Sequence, residues 1–74
     1  MAKAPEFSYH ARKRMIERNI TERQVWLTVN NPDRIAPGID GATNYYREID
    51  GRTIRVTVGS SAWDVRRRII VTVA

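Results

Sequence analysis

The first part of the chain carries the signals of a short helix. Ser8 precedes a stretch without any helix breaker, and a serine at that position typically caps a helix through its hydroxyl group. Asn19 tolerates the left-handed backbone conformation in which many helices end. The pattern therefore predicts a first helix over about residues 9–18.

A second helix is predicted directly after the first. Thr21 and Gln24 have the spacing of a capping box, in which two side chains satisfy the first free N–H groups of a helix. The helix should cover about residues 22–30 and end before Asn31-Pro32, because a residue preceding proline avoids the helical region. We expect Trp26 of this helix to lie in the core.

The second half of the chain changes from helical to alternating periodicity. Strands are predicted at about residues 44–49 and 52–58, and Asp50-Gly51 between them is a strong two-residue hairpin signal. A last strand is predicted at about residues 66–73. The predicted connecting segments are an extended lead-in at 1–7, a loop at 32–43 and a turn at 59–64.

The apolar positions of these elements can form one shared core. Alternation places one set of strand residues on a buried face, namely Ile54, Val56, Val58, Ile69, Val71 and Val73. The matching contacts from the helical part are Phe7, Ala11, Met15 and Ile20. The sequence thus predicts an α+β fold in which two N-terminal helices pack on one face of a three- or four-stranded antiparallel sheet, leaving the other face polar.

Length and composition limit what this fold can hold. The 74 residues suffice for one domain, residues 1–74, with a thin core and room only for a groove or shallow cleft. The chain has no cysteine, so disulfides and thiolate metal sites are excluded. No apolar run approaches the length of a transmembrane helix, and residues 1–7 lack the apolar stretch of a secretory signal. We expect a cytoplasmic protein without membrane contact, metal or cofactor.

The charge of the chain favours a polyanionic partner. Thirteen Lys and Arg residues against eight Asp and Glu give a formal charge of +5, and all but Lys3 and Lys13 of the basic residues are Arg. Arginine presents a planar fork of donors that fits phosphate and stacks on bases. We therefore expect contact with RNA, although a basic surface that serves solubility alone would give the same composition.

Basic residues form a stripe on the first predicted helix. His10, Arg14 and Arg18 lie four residues apart and so share one helix face, flanked by Arg12 and Lys13. The stripe is either a solvated helix face or an anion-binding ridge. Imidazole exchanges protons near neutral pH, so His10 is the natural proton-transfer candidate, although a lone histidine is more often structural.

The predicted hairpin gives a second group of candidate residues. A two-residue turn places Tyr46 opposite Arg55 on the face away from the core, and we expect Arg68 and Thr72 of the last strand to point the same way. Such a face can stack a base and hold phosphate, or it can be ordinary cross-strand pairing on a wet surface. The run Arg66-Arg67-Arg68 would extend a phosphate-binding surface. The pattern does not decide whether Trp63 caps the core or contacts a partner.

Several motifs together resemble a small bacterial and phage family of unknown function that opens with His-Ala-x-x-Arg-Met-x-x-Arg. The residues that carry this resemblance are His10-Ala11, Arg14-Met15, Glu17-Arg18-Asn19-Ile20-Thr21-Glu22 and Asn31-Pro32-Asp33. That family in turn resembles the RelE-like toxin ribonucleases of the barnase–EndoU–colicin–RelE group. The resemblance covers about residues 9–73.

The resemblance implies a RelE/barnase-like fold and metal-independent RNA cleavage by a toxin that is held by a cognate antitoxin. By motif it points to His10, Arg14, Arg18 and Thr72 as site residues. RNA cleavage without a metal uses the 2′-OH as nucleophile, so we expect His10 as base or acid, Arg14, Arg18 and Arg55 on the phosphate, and Tyr46 as a proton donor or stacking platform. The alternative is a non-catalytic module, encoded by a phage or another mobile element, that binds RNA or a protein.

Overall fold

The computed structural model describes residues 6–60 and 68–74 and has the α+β architecture expected from the sequence. In chain order its elements are β1 (Glu6–Phe7), α1 (Tyr9–Arg18), α2 (Glu22–Asn30), β2 (Arg34–Pro37), a 3₁₀ turn (Ile39–Gly41), β3 (Thr43–Ile49), β4 (Arg52–Ser60) and β5 (Arg68–Val73). Within these residues the strands form one five-stranded sheet in the order β1-β5-β4-β3-β2.

Both predicted helices are present, and local capping explains their ends. The Ser8 hydroxyl accepts a hydrogen bond from the Ala11 N–H at 3.0 Å and so caps α1. Asn19 ends α1 in the left-handed conformation, with φ of 55°. In α2 the Thr21 and Gln24 side chains each accept a bond from the other's backbone N–H, at 3.1 and 2.9 Å, which completes the predicted capping box.

The sheet is larger than the sequence predicted and is mixed. β1 lies in the predicted lead-in and pairs with β5 in parallel, whereas every other described pairing is antiparallel. β2 lies inside the predicted loop and pairs with β3. Both strands are short edge strands, and β2 ends at Pro37, which an edge strand tolerates because one of its sides makes no ladder bonds.

The central hairpin has the predicted register. Ile49 pairs with Arg52 across a two-residue turn in which Asp50 and Gly51 both have positive φ, 52° and 82°. That turn type matches the right-handed twist of the flanking strands. β4 includes Gly59 and Ser60, so the prediction that a turn begins at residue 59 was wrong, and residues 61–64 of that predicted turn lie outside the described residues.

The last strand departs from simple alternation. Thr57 pairs with Thr72 and Val58 pairs with Ile70, so Val71 is an extra residue that forms a β-bulge. Ile70 and Val73 are therefore the buried residues of β5, and Val71 is 40% exposed. The prediction that Ile69, Val71 and Val73 share the buried face was wrong at its first two positions, because the bulge shifts the alternation.

The core lies between the two helices and one face of the sheet. Its buried residues are Ala11, Met15, Ile20, Val25, Ile54, Val56, Val58, Ile70 and Val73, and Phe7 packs against them. Thr28 is also buried, and its hydroxyl donates to the Gln24 carbonyl at 2.8 Å. Trp26 is 49% exposed, contrary to expectation, because Val25 and Thr28 set the inward face of α2.

Among the described residues, no helix has the length and apolar character needed to cross a bilayer.

Candidate functional site

The sheet surface opposite α1 and α2 carries a row of cations around one aromatic ring. β2 places Arg34 opposite Tyr46, and β4 places Arg55 on the other side of the same tyrosine. Ile54 and Val56 beside Arg55 are fully buried under the helices, so alternation directs Arg55 to the opposite surface. We call this surface the open face and define it by Arg34, Asn44, Tyr46, Arg55, Thr57 and Thr72.

The two arginines of the row have different surroundings. The Arg34 guanidinium carbon lies 4.3 Å from the centroid of the Tyr46 ring, a cation–π contact. Arg55 is half-buried, and its Nε atom is buried without a hydrogen-bond partner in the described part of the chain. An anion on the open face would contact the terminal N–H groups of the Arg55 guanidinium, because the Nε atom itself is buried.

A second row on the open face consists of neutral polar side chains. Asn44 pairs with Thr57, and Thr57 pairs with Thr72. The Thr57 hydroxyl donates to the Asn44 Oδ1 atom at 2.6 Å, which fixes the orientation of the amide. Hydroxyl and amide groups thus lie directly beside the Arg34, Tyr46 and Arg55 row.

A cleft of about 460 Å³ opens on this side of the sheet. Its lining residues are Ile39, Asp40, Ala42, Asn44, Arg55, Thr57, Gly59, Val71 and Thr72. The cleft therefore combines a guanidinium group, hydroxyl groups and a carboxylate with an apolar wall. These are the functional groups required to hold a phosphate, orient it and move a proton near it.

His10 lies in the first turn of α1, and that turn is fixed to β5 next to Thr72. The Ser8 N–H donates to the Ile70 carbonyl at 3.0 Å, and the Ser8 hydroxyl donates to the Val71 carbonyl at 2.9 Å. The His10 side chain is exposed. The fold therefore attaches Ser8, two residues before His10, to the strand that carries Thr72.

The other two members of the stripe follow further along α1. Arg14 lies one helical turn and Arg18 two turns beyond His10, on the helix-covered side of the sheet. Arg14 is half-buried, with its Nε atom buried and without a partner among the described residues, and its NH1 atom lies 3.6 Å from Glu17. The predicted stripe thus exists as a helix face, and its three members are not among the described residues that line the cleft.

Arg12 and Lys13, the flanking residues of the stripe, are both exposed. The Arg12 guanidinium carbon lies 4.8 Å from the centroid of the Phe7 ring, and its NH2 atom lies 3.7 Å from Glu22. Arg12 therefore already has an aromatic and an acidic neighbour, whereas Lys13 has no ion pair in the part of the chain that the structure describes.

Arg68 points to the other side of the sheet from the one expected. Its NH2 atom donates to the Tyr45 hydroxyl at 2.8 Å, and Tyr45 packs against the core on the helix-covered side. The reason is again the alternation in β5, where Arg68 precedes buried Ile70 by two residues. Arg66, Arg67 and Trp63 lie outside the described residues.

Four polar residues of this site were not singled out as site residues from the sequence: Arg34, Asp40, Asn44 and Thr57. Arg34 and Asp40 lie in a segment whose prolines and glycines indicated a loop, so no register could be assigned to them. Asn44 could have been found, because the Asp50-Gly51 turn that places Tyr46 opposite Arg55 also places Asn44 opposite Thr57.

Within residues 6–60 and 68–74, no three His, Asp or Glu side chains come together as metal ligands would.

Fold and site define a small α+β domain with a basic, aromatic open face and, beside its bulged strand, a cleft lined by both polar and apolar groups. Residues 7–74 match the family described as "Domain of unknown function (DUF4258)", and the chain belongs to that family. No curated protein and no solved structure gives a significant match to the chain.

Proposed function

We propose that this domain binds single-stranded RNA on its open face. The observation that carries the proposal is the row of Arg34, Tyr46 and Arg55, in which two cations flank one aromatic ring on the sheet surface away from the helices. Proteins that bind single strands combine aromatic platforms for bases with cations for the backbone, often on an exposed sheet.

The net charge supports the same proposal. The chain carries a formal charge of +5, which attracts a polyanion over a distance of about one Debye length. The Arg34 guanidinium lies over the Tyr46 ring and offers a planar cation on which a base can stack, and Arg55 on the other side of Tyr46 can contact a phosphate. The hydroxyl groups of Thr57 and Thr72 add neutral donors that suit a phosphate or ribose.

The second candidate is a metal-independent endoribonuclease of the RelE-like toxin type. It is favoured by the cleft, where Arg55 and Thr72 occur with Asp40, and by the attachment of the first turn of α1 to β5. We propose that the scissile phosphate lies at Thr72, with Arg55 stabilising its charge in the transition state. Such a toxin would be held by an antitoxin that covers the open face.

In this candidate His10 and Tyr46 take the proton-transfer roles. His10 removes the 2′-OH proton or protonates the leaving 5′-oxygen, and Tyr46 is the second proton donor or the stacking platform. Arg14 and Arg18, further along α1, contact phosphates outside the cleavage position. The alternative within the same proposal is a module that binds RNA or a protein partner without cleaving it.

One experiment tests both candidates. Purified protein is incubated with end-labelled single-stranded RNA in EDTA, and both cleavage and mobility shift are followed. For Arg55→Gln we expect at least about a fivefold weaker shift, the loss of one charge-assisted contact. The matched control is Arg23→Gln, because Arg23 is exposed on α2, on the other side of the sheet. Circular dichroism verifies that each variant is folded.

The outcomes separate the candidates. Discrete fragments that become about 10²- to 10⁴-fold slower to form in His10→Ala would support the ribonuclease. A salt-sensitive shift of intact RNA would support binding and contradict cleavage. Intact RNA without a shift at low salt would contradict both and leave the open face as a contact surface for a protein partner.

A further inference from the structure

Gly59 forms part of the floor of the cleft and is in close contact with the Val71 side chain. A Cβ atom at Gly59 would lie 3.0 Å from the Val71 Cγ2 atom, tighter than most real Cβ contacts, so glycine lets Val71 pack directly onto the strand. Glycine in the interior of a strand weakens the sheet and often marks a position where a ligand approaches the backbone. Ile39, Ala42 and Val71 form an apolar wall around this floor, and Ile39 is 83% exposed. A flat apolar group of ring size suits this part of the cleft.

Asn44 presents donors to the same cleft. Its Oδ1 atom accepts the Thr57 hydroxyl at 2.6 Å and is packed against Gly38, where an added Cβ would lie 3.3 Å from it. The oxygen end of the amide is therefore held, and the Nδ2 group is left with two N–H donors that have no partner among the described residues. Asp40, also in the lining, is an acceptor.

We infer that the cleft is a base-specific subsite for a keto-bearing base, uracil or guanine, of the RNA strand bound on the open face. This inference rests on the proposed RNA binding. Uracil and guanine each present a carbonyl oxygen next to a ring N–H group. The carbonyl oxygen can accept from the Asn44 amide, and the N–H group can donate to the Asp40 carboxylate. Cytosine and adenine present an amino group at the corresponding position, where the Asn44 N–H groups would face another donor.

The test measures binding of short single strands by fluorescence anisotropy. The probes are adenine RNA heptamers with one central deoxyuridine or deoxycytidine, so that the varied position lacks the 2′-OH required for cleavage. We expect the deoxyuridine probe to bind about fivefold more tightly, the worth of one net hydrogen bond. Asn44→Ala should bring the two affinities together. Asn44→Asp should reverse the preference, because a carboxylate accepts from the amino group of cytosine.

The readouts separate this inference from the proposal on which it rests. Arg34→Gln, on the open face but outside the cleft lining, should weaken both probes and leave their ratio unchanged. Salt-sensitive binding without a preference in the unaltered protein would overturn the subsite and leave RNA binding standing. A preference that persists in Asn44→Ala would also overturn it. Absence of binding to either probe would overturn RNA binding, and the subsite with it.

Discussion

Arg52 closes the end of α1 from the first position of β4. Its NH1 atom donates to the Arg18 carbonyl and its NH2 atom to the Asn19 carbonyl, both at 2.8 Å. The last carbonyls of a helix have no partner within the helix, and they carry the negative end of its dipole. One guanidinium group therefore satisfies two of these acceptors and joins the helix to the hairpin.

Replacing Arg52 should destabilise the fold. We expect Arg52→Ala to lower the free energy of unfolding by about 1–2 kcal/mol, because two charge-assisted hydrogen bonds are lost at an exposed site. Urea denaturation with an unchanged m-value measures this. Arg23→Ala is the control and should stay within about 0.5 kcal/mol of the unaltered protein. Equal effects of the two substitutions would show that the cap contributes nothing.

Individual residues also show where the alternation of apolar and polar positions predicts burial correctly and where it does not. Alternation correctly placed Ile54, Val56 and Val58 in the core, since each position depends only on its own strand. It failed at Ile69 and Val71, because the β-bulge arises from pairing with β4 and leaves no local signal. The same shift directs Arg68 away from the open face.

At the level of elements, the sequence predicted what is encoded locally. The caps of α1 and α2 and the turn of the central hairpin each lie within four or five neighbouring residues, and all of them are present. β1 and β2 were not predicted, because they form by pairing with β5 and β3 and their own sequences carry no strand pattern. β1 has only two residues, which is too short for an alternation pattern. β2 lies among prolines and glycines that favour a loop.

The attachment of α1 to β5 should be measurable at Ser8. Its hydroxyl both accepts from the Ala11 N–H and donates to the Val71 carbonyl. We expect Ser8→Ala to cost about 1–2 kcal/mol in thermal or urea unfolding, since it removes both bonds. Ser8→Asp keeps an acceptor for the helix cap but has no O–H donor. Its free energy of unfolding should lie between those of the unaltered protein and Ser8→Ala. Full recovery by Ser8→Asp would mean that the bond to β5 is without energetic effect.

At the level of the whole molecule, the two sides of the sheet differ in role. One side is covered by α1 and α2 and supplies the core, and the other is the open face. The sequence indicated this division and the pairing of Tyr46 with Arg55. It could not show that the start of α1 meets β5 beside Thr72, because that contact joins residues at opposite ends of the chain.

Because the open face lies on one side of the sheet, we expect the salt dependence of RNA binding to change only with substitutions on that side. If RNA lies on the open face, the logarithm of the association constant should fall linearly with the logarithm of salt concentration, by about 0.7 per phosphate contacted. Arg55→Gln should reduce that slope by about 0.7, whereas Arg23→Gln on α2 should leave it unchanged. A slope that changes equally in both variants would place RNA contact on both sides of the domain.

The position of β5 between β1 and β4 has a consequence for biosynthesis. β5 is the last of the described strands to leave the ribosome, yet it pairs with the first strand, Glu6 with Ile69, and packs against α1. Until it emerges, the apolar face of α1 with Ala11 and Met15 has no sheet to cover it. Contacts of such sequence separation slow folding and expose hydrophobic surface in the nascent chain. The β2–β3–β4 part of the sheet and α2 can therefore associate first, whereas α1 is covered only once residue 73 has left the exit tunnel.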